Sequence, residues 1–327
     1  MPKSNMRGLI SFVLPVYNES ASLMHFYSAL SRAIAKKPAY KYELIFIDDG
    51  STDSSPAVLN KLHAKDSRVV IISLSRNFGH QMAVTAGLDY AQGDAVIIMD
   101  TDLQDPPAVA MRLVQKWEQG FDVVYAKRRS RQDSLAKRTS AALFYRLLAR
   151  LSDIEIPANT GDFRLLDKKV VAELQKFGEQ DRFMRGLVSY VGFRQTAVHF
   201  DRQKRFAGKS GYSFSKMWKL AIDGILGFSN KPLKLIARVG LFFSFLSFAG
   251  IVYATTMKFI DPGHVVPGWA FITISVLLMG GVQLIVLGML GSYIGRIYNE
   301  VKHRPLYITA SVNDRRQPST KTRRHTS

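Results

Sequence analysis

Apolar and polar positions along this chain follow two regimes. Up to Arg129, short apolar runs alternate with segments whose apolar residues recur every three or four positions. The runs at 9–14, 42–47, 69–73, 95–99 and 122–126 predict strands. The segments near 20–36, 56–64, 81–91 and 107–119 predict helices. Near-continuous apolar strands alternating with helices predict an α/β fold, a mostly parallel sheet covered on both faces. Beyond Arg129 the pattern is mixed, helical at 137–151 and 181–190, extended at 195–200, with a loop running into a short strand at 159–166.

The second regime is the C-terminal third. Residues 239–257 and 269–294 carry no charged side chain, and each is long enough to cross a bilayer as a helix. The short loop between them, 258–268, holds Pro262, Gly263, Pro267 and Gly268. Two such spans predict a transmembrane hairpin with both ends on one side. Lys231, Lys234 and Arg238 precede the first span, and Arg296, Lys302 and Arg304 follow the second, whereas the loop offers only Lys258. The positive-inside rule then places the N-terminal region and the tail in the cytoplasm. Ahead of the hairpin, Phe214, Met217, Trp218, Ala221, Ile222, Ile225 and Leu226 make an apolar stripe beside Lys216 and Lys219, which predicts a helix in the headgroup plane. The expected organisation is a cytosolic α/β domain at 1–213, an interfacial helix and linker at 214–232, the hairpin at 233–298 and a basic cytosolic tail at 299–327, read as disordered.

Charge and cysteine content narrow the picture. Lys and Arg number 45 against 26 Asp and Glu, a formal net charge of +19, which calls for an anionic partner. Basic flanks around a membrane hairpin account for that surplus without nucleic acid. Cysteine is absent, so there is neither a disulfide framework nor a thiolate metal site. The N-terminal residues lack the layout of a signal peptide.

Ligands of parallel α/β sheets bind beyond the carboxyl ends of the strands, so the residues after each strand are the candidate lining. They are Pro15 to Glu19, Asp48 to Ser51, Arg76 to Gly79, Asp100 to Asp102, and Lys127 to Arg129. Acids dominate three of these exits and bases the last, a lining suited to a metal, a diphosphate and a polar base. In DTDLQDPP, an extended backbone past Met99 would put Asp100, Asp102 and Gln104 on one side. Three oxygen donors in that arrangement suit Mg²⁺ or Mn²⁺. The same acids read equally well as turn residues at a strand exit, with Asp105 as the N-cap of a helix that has proline in its first turn.

Taken together, VLPVYNE, FIDDGSTD, LSRNFGHQMAVTAGLDYAQGD, MDTDLQDPP, VYAKR, NTGDFRLLD, FMRGLVSYVG, RFAGKSGYSF and LGSYIGRIYNEVKHRP resemble the family 2 glycosyltransferases of GT-A fold. Within them the resemblance is to the polyprenyl-phosphate glycosyltransferases, nearer the bactoprenol glucosyltransferases than the dolichol-phosphate mannose synthases. It implies transfer of a sugar, glucose first, from a UDP-sugar donor to undecaprenyl (polyprenyl) phosphate at a lipid bilayer. N-acetylglucosamine, galactose, an amino-pentose and mannose are the alternative sugars. The roles it implies are a nucleotide pocket of Pro15, Tyr17, Glu19 and Asp49, with Arg128 on the donor diphosphate. Asp100, Asp102 and Gln104 would hold Mg²⁺ or Mn²⁺. Asp162 and Arg164 would stand at the reaction centre, and Arg202, Arg205, Lys209 and Ser210 would face the acceptor phosphate. Self-association into a homo-oligomer is a further implication.

Two other classes compete. DxD after an apolar strand also occurs in phosphohydrolases with an aspartate nucleophile, but there the motif follows the first strand, and here it follows the fourth. A non-catalytic membrane scaffold would have no need of donors at all three metal positions. A dinucleotide oxidoreductase is weaker still, because VLPVYNES follows the first strand where G-x-G-x-x-G would stand.

Overall fold

The computed structural model describes residues 8–129, 160–201, 231–260 and 268–315. They fall into two compact units, one built on a sheet and one on two long helices.

The first unit has eight strands in the order β7-β5-β6-β4-β1-β2-β3-β8. β1 (Leu9–Val16) is the central strand of its parallel part, with β2 (Lys41–Asp48) and β4 (Ala95–Ile98) on either side and β3 (Val69–Leu74) beyond β2. Ile10 to Val16 are buried, as a strand covered on both faces requires. Helices α1 (Ser20–Ile34), α2 (Ser55–Lys65), α3 (His80–Tyr90) and α4 (Pro107–Glu118) supply the cover. Leu23, Phe26 and Leu30 of α1 and Val109, Leu113 and Val114 of α4 fill a shared core with the sheet. The chain builds β2 and β3 to one side of β1, then crosses to place β4 on the other. In open α/β sheets ligands bind at such a reversal, here the carboxyl ends of β1 and β4.

Four expectations are corrected. Strand β4 ends at Ile98, and residues 101–105 form bends, with Leu103 at φ +62°. The alternation that would align Asp100, Asp102 and Gln104 therefore does not extend to them. The helix after it is capped by Pro106 without a side-chain bond, so Asp105 is not the N-cap, although Pro107 does open the first turn. Residues 160–167 form a full strand, β6 (Thr160–Asp167), inserted antiparallel between β4 and β5 (Val123–Arg128). Lastly, Thr309–Asn313 is β8, antiparallel to β3, so the tail is not disordered throughout. Beside it, Tyr307 donates to Asp89 Oδ2 at 2.9 Å, which ties this segment to α3. β7 (Gln195–Phe200) runs parallel to β5 at the opposite edge, and α5 (Lys168–Leu174) and α6 (Met184–Val191) lie between β6 and β7 in the chain.

The second unit contains α7 (Lys231–Ile260) and α8 (Trp269–Val301). Large apolar side chains are exposed along both, among them Phe242, Phe245 and Phe248 of α7 and Leu284, Ile285 and Leu287 of α8. Among the described residues one segment, Leu278–Val301, is long and apolar enough to cross a membrane; the apolar run within α7, Gly240–Gly250, is shorter. The expected interfacial helix at 214–228 lies outside the described residues.

Candidate active site

The loops after β1, β2 and β3 are stitched into one surface. Asn18, at φ +55°, accepts the Thr52 N–H at 2.8 Å and the Asp53 N–H at 3.3 Å through its side-chain oxygen. Asp53 in turn accepts the N–H groups of Ser20 and Ser55. Glu19 ends this loop, with its carboxylate turned to the Ser22 hydroxyl at 2.9 Å. Tyr17 stands out from it, 48% exposed, and Pro15 is buried within β1.

Asp49 follows β2 and is buried. Its Oδ1 accepts the Phe78 N–H at 2.7 Å and its Oδ2 the Gly79 N–H at 2.9 Å. Burial pushes this carboxyl up, and the two N–H groups only partly offset it. Gly50 permits the crossing: at φ +68°, a Cβ there would lie 2.5 Å from the Arg76 carbonyl carbon. Asp49 thus fixes the loop that leads into α3.

The first residues of α3 reach two acids from distant parts of the chain. His80 Nε2 lies 2.9 Å from Asp100 Oδ1, and its Nδ1 lies 3.9 Å from Asp162 Oδ2. Partial desolvation alone would lower the imidazole, but the hydrogen bond to Asp100 and the charges of Asp100 and Asp162 carry it up to about 9. These two acids favour the protonated form of His80. Asp162, on β6, accepts from Arg185 Nε at 2.9 Å, from Arg185 Nη2 at 3.3 Å and from Gln81 Nε2 at 3.4 Å. Burial opposes the Asp162 charge, yet Arg185, His80 and Arg164 outweigh it and hold the carboxyl well below the usual range. Arg164 is 4% exposed, donates to the Gly161 carbonyl at 2.9 Å and lies 3.8 Å from Asp162. Burial brings its guanidinium down to about 10, so it too stays charged.

Among the described residues, the side chains of His80, Arg164 and Arg185 meet those of Asp100 and Asp162 here. Of the residues singled out in the sequence, Asp100, Asp162 and Arg164 belong to this cluster. Arg128, at the end of β5, lies beside it: a Cβ on Gly161 would be 3.3 Å from its Nη2. Asp102 is buried, and its Oδ1 accepts the Gln104 N–H at 3.0 Å in a tight turn. Thr101 between the acids donates to the Pro15 carbonyl at 3.4 Å, which fastens this turn to β1. Arg202, Arg205, Lys209 and Ser210 lie outside the described residues. His80, Gln81 and Arg185 were not foreseen; GHQ and FMRG stood in the motifs, but nothing in a linear pattern joins them to Asp162.

As a metal site, this donor set is partial. Among the described residues no three His, Asp or Glu side chains group so as to enclose an ion. Asp100 and Asp102 each have one carboxylate oxygen engaged, by His80 Nε2 and by the Gln104 N–H; as hard oxygen donors they are of the type that suits Mg²⁺, which keeps much of its shell for water and substrate phosphates.

Comparison with known proteins supplies the class. The profile of "Glycosyl transferase family 2" matches residues 11–175. An uncharacterized glycosyltransferase of Bacillus subtilis, YkcC, is 46% identical over 299 residues, covering 91% of this chain and 92% of its own. The bactoprenol glucosyl transferase of Shigella phage SfV is 44% identical over 302 residues, covering 91% of this chain and 97% of its own. Among solved structures, the mannosyltransferase PcManGT of Pyrobaculum calidifontis, in complex with GDP-Man and Mn²⁺, covers 93% of this chain and 90% of its own. Its identity is 14% and its TM-score 0.46, a similarity too slight for comparing sites. The match over half the chain, and relatives above 40% identity along nine-tenths of it, establish that this protein is a glycosyltransferase and belongs to glycosyl transferase family 2.

Proposed function

We propose that this protein transfers glucose from UDP-glucose to a polyprenyl phosphate such as undecaprenyl phosphate, with inversion at the anomeric carbon. The observation that carries this reading is the 44% identity to the phage SfV bactoprenol glucosyl transferase, which extends over nearly the whole of both chains.

The described chemistry suits that reaction. A phosphate monoester has a second pKa of about 6, so the acceptor is already an ionised nucleophile at neutral pH. One of its oxygens attacks the anomeric carbon as the bond to the UDP oxygen breaks on the opposite face. No proton needs to be removed, and Asp162, held far below the ordinary carboxylate range among cations, is a poor base. Its role is to orient the sugar or acceptor and to face positive charge developing on the ring. Arg164 and Arg128 face the negative charge that collects on the departing diphosphate. Asp100 and Asp102, with Gln104 beside them, would hold Mg²⁺ or Mn²⁺, whose positive charge stabilises that leaving group. Pro15, Tyr17, Glu19 and Asp49 frame the nucleotide pocket, Asp49 by fixing the loop at Phe78 and Gly79. Arg202, Arg205, Lys209 and Ser210 are the proposed contacts to the acceptor phosphate.

The exposed apolar lengths of α7 and α8 support membrane residence through a two-span hairpin at 233–298. In this reading the catalytic domain at 1–213 and both termini face the cytoplasm, and 214–232 lies at the interface. The tail from 299 keeps its basic character but gives Thr309–Asn313 to the sheet. Self-association belongs to the same reading. Purified protein incubated with undecaprenyl phosphate, Mn²⁺ and a panel of radiolabelled UDP-sugars tests it. Label should enter the organic phase from UDP-glucose and be lost with EDTA or Asp102→Ala. Transfer from another donor alone would replace the sugar, and transfer from none would overturn the reading.

A further inference from the structure

Asp162 is gripped from two helices. Arg185, the second residue of α6, meets it with two prongs, Nε to Oδ1 and Nη2 to Oδ2. Gln81, near the start of α3, donates its amide to the same Oδ2, and its Oε1 accepts the Met184 N–H at 3.1 Å. One side-chain amide therefore touches both the carboxylate and the first turn of the helix that carries Arg185. A forked guanidinium–carboxylate contact fixes the plane of the carboxylate as well as its position. At the side chain Asp162 is 13% and Arg185 21% exposed.

We propose that Arg185 is a positioning residue for glycosyl transfer, acting through Asp162, and that Gln81 locks α6 in the register that allows it. The inference rests on the reading of Asp162 as a reaction-centre residue. His80 and Arg164 also face Asp162, but at 3.9 and 3.8 Å they supply charge without fixing orientation. Removing the fork should let the carboxylate turn, which costs turnover and leaves the substrate-binding groups in place.

The test is a double-mutant cycle on the full chain, with kcat and both KM values measured for wild type, Arg185→Gln, Asp162→Ala and the pair. Arg185→Gln should lower kcat at least about tenfold and leave each KM within about threefold. In the Asp162→Ala background the same change should move kcat by less than about twofold. Arg185→Lys, which keeps the charge without the fork, should recover part of the loss, and it remains informative if Arg185→Gln fails to fold. An equal fall in both backgrounds would overturn the inference. So would a raised KM for polyprenyl phosphate with kcat retained, which would make Arg185 a direct ligand of the acceptor. If Asp162→Ala keeps wild-type turnover, the underlying reading of Asp162 fails first, and the inference with it.

Discussion

His80 stands between Asp100 and Asp162, its Nε2 2.9 Å from Asp100 Oδ1 and its Nδ1 3.9 Å from Asp162 Oδ2. One imidazole ring thereby joins an acid proposed to hold the metal ion to the acid proposed to face the sugar. The ring comes from the first turn of α3, whose entry loop is fixed by Asp49, so three strand exits contribute to a single charge arrangement.

Replacing His80 with Ala should lower kcat at least about tenfold, equivalent to about 1.4 kcal/mol of barrier. The side chain is 41% exposed, so the melting temperature should change little. Turnover equal to wild type in a steady-state assay would show that the bridge has no part in transfer.

Asp49→Asn exchanges one acceptor oxygen for an NH₂ that would face a backbone N–H. Either Phe78 or Gly79 then loses its partner in a buried setting, at a cost of about 1–3 kcal/mol. A lower melting temperature together with a raised KM for the UDP-sugar is the expected pair of results. A higher KM at unchanged stability would point instead to direct contact between Asp49 and the nucleotide.

Gly50→Ala combines an unfavourable φ of +68° with backbone atoms of Arg76 and Asn77 at 2.5–2.6 Å from the new Cβ. Neither neighbour is a flexible side-chain tip, so the loop itself must move. The variant should be destabilised by at least about 1 kcal/mol, the lower end of the cost of backbone strain. Thermal melting decides it, and an unchanged midpoint would contradict the packing of these two loops.

Asp66 gives the fold a dependence on acid that is separate from the site. It accepts from the Tyr27 hydroxyl at 2.7 Å and from Arg68 at 2.7–3.0 Å. Burial would raise its pKa, but these partners bring it down to about 2. A depressed carboxyl stabilises the fold above its unfolded pKa near 4, and that contribution is lost as pH falls through about 2. Arg68 is 39% exposed, so solvent screening leaves about 1 kcal/mol. Asp66→Asn should therefore destabilise the protein at pH 7 and differ less from wild type at pH 2. Equal differences at both pH values would refute the pairing.

Much of the sheet is legible in the sequence because its central strands are apolar on both faces. Val13 and Ile45 announce themselves by composition alone. β6 is harder: NTGDFRLLD shows a strand, but its direction follows from pairing with Ile98 and Tyr125, which no local pattern encodes. β8 is harder still. Thr309 to Asn313 is short, and its last four residues are exposed, so its identity as a strand depends on the edge of β3. In the site, acids after strands mark themselves, as Asp49, Asp100 and Asp102 do. Their geometry does not, because alternation holds only while the chain stays extended and β4 stops at Ile98. His80 and Arg185 lie 82 and 23 residues from Asp162, and only the fold brings them to it.

The most direct test of glucosyl transfer is the stoichiometry between UDP released and glucosyl lipid formed by the purified full chain, with and without polyprenyl phosphate. Sugar transfer to the lipid predicts one UDP per glucosyl lipid and almost no UDP when the acceptor is left out. UDP released at the same rate without acceptor, with no lipid-linked glucose, would show hydrolysis of the donor and contradict the account.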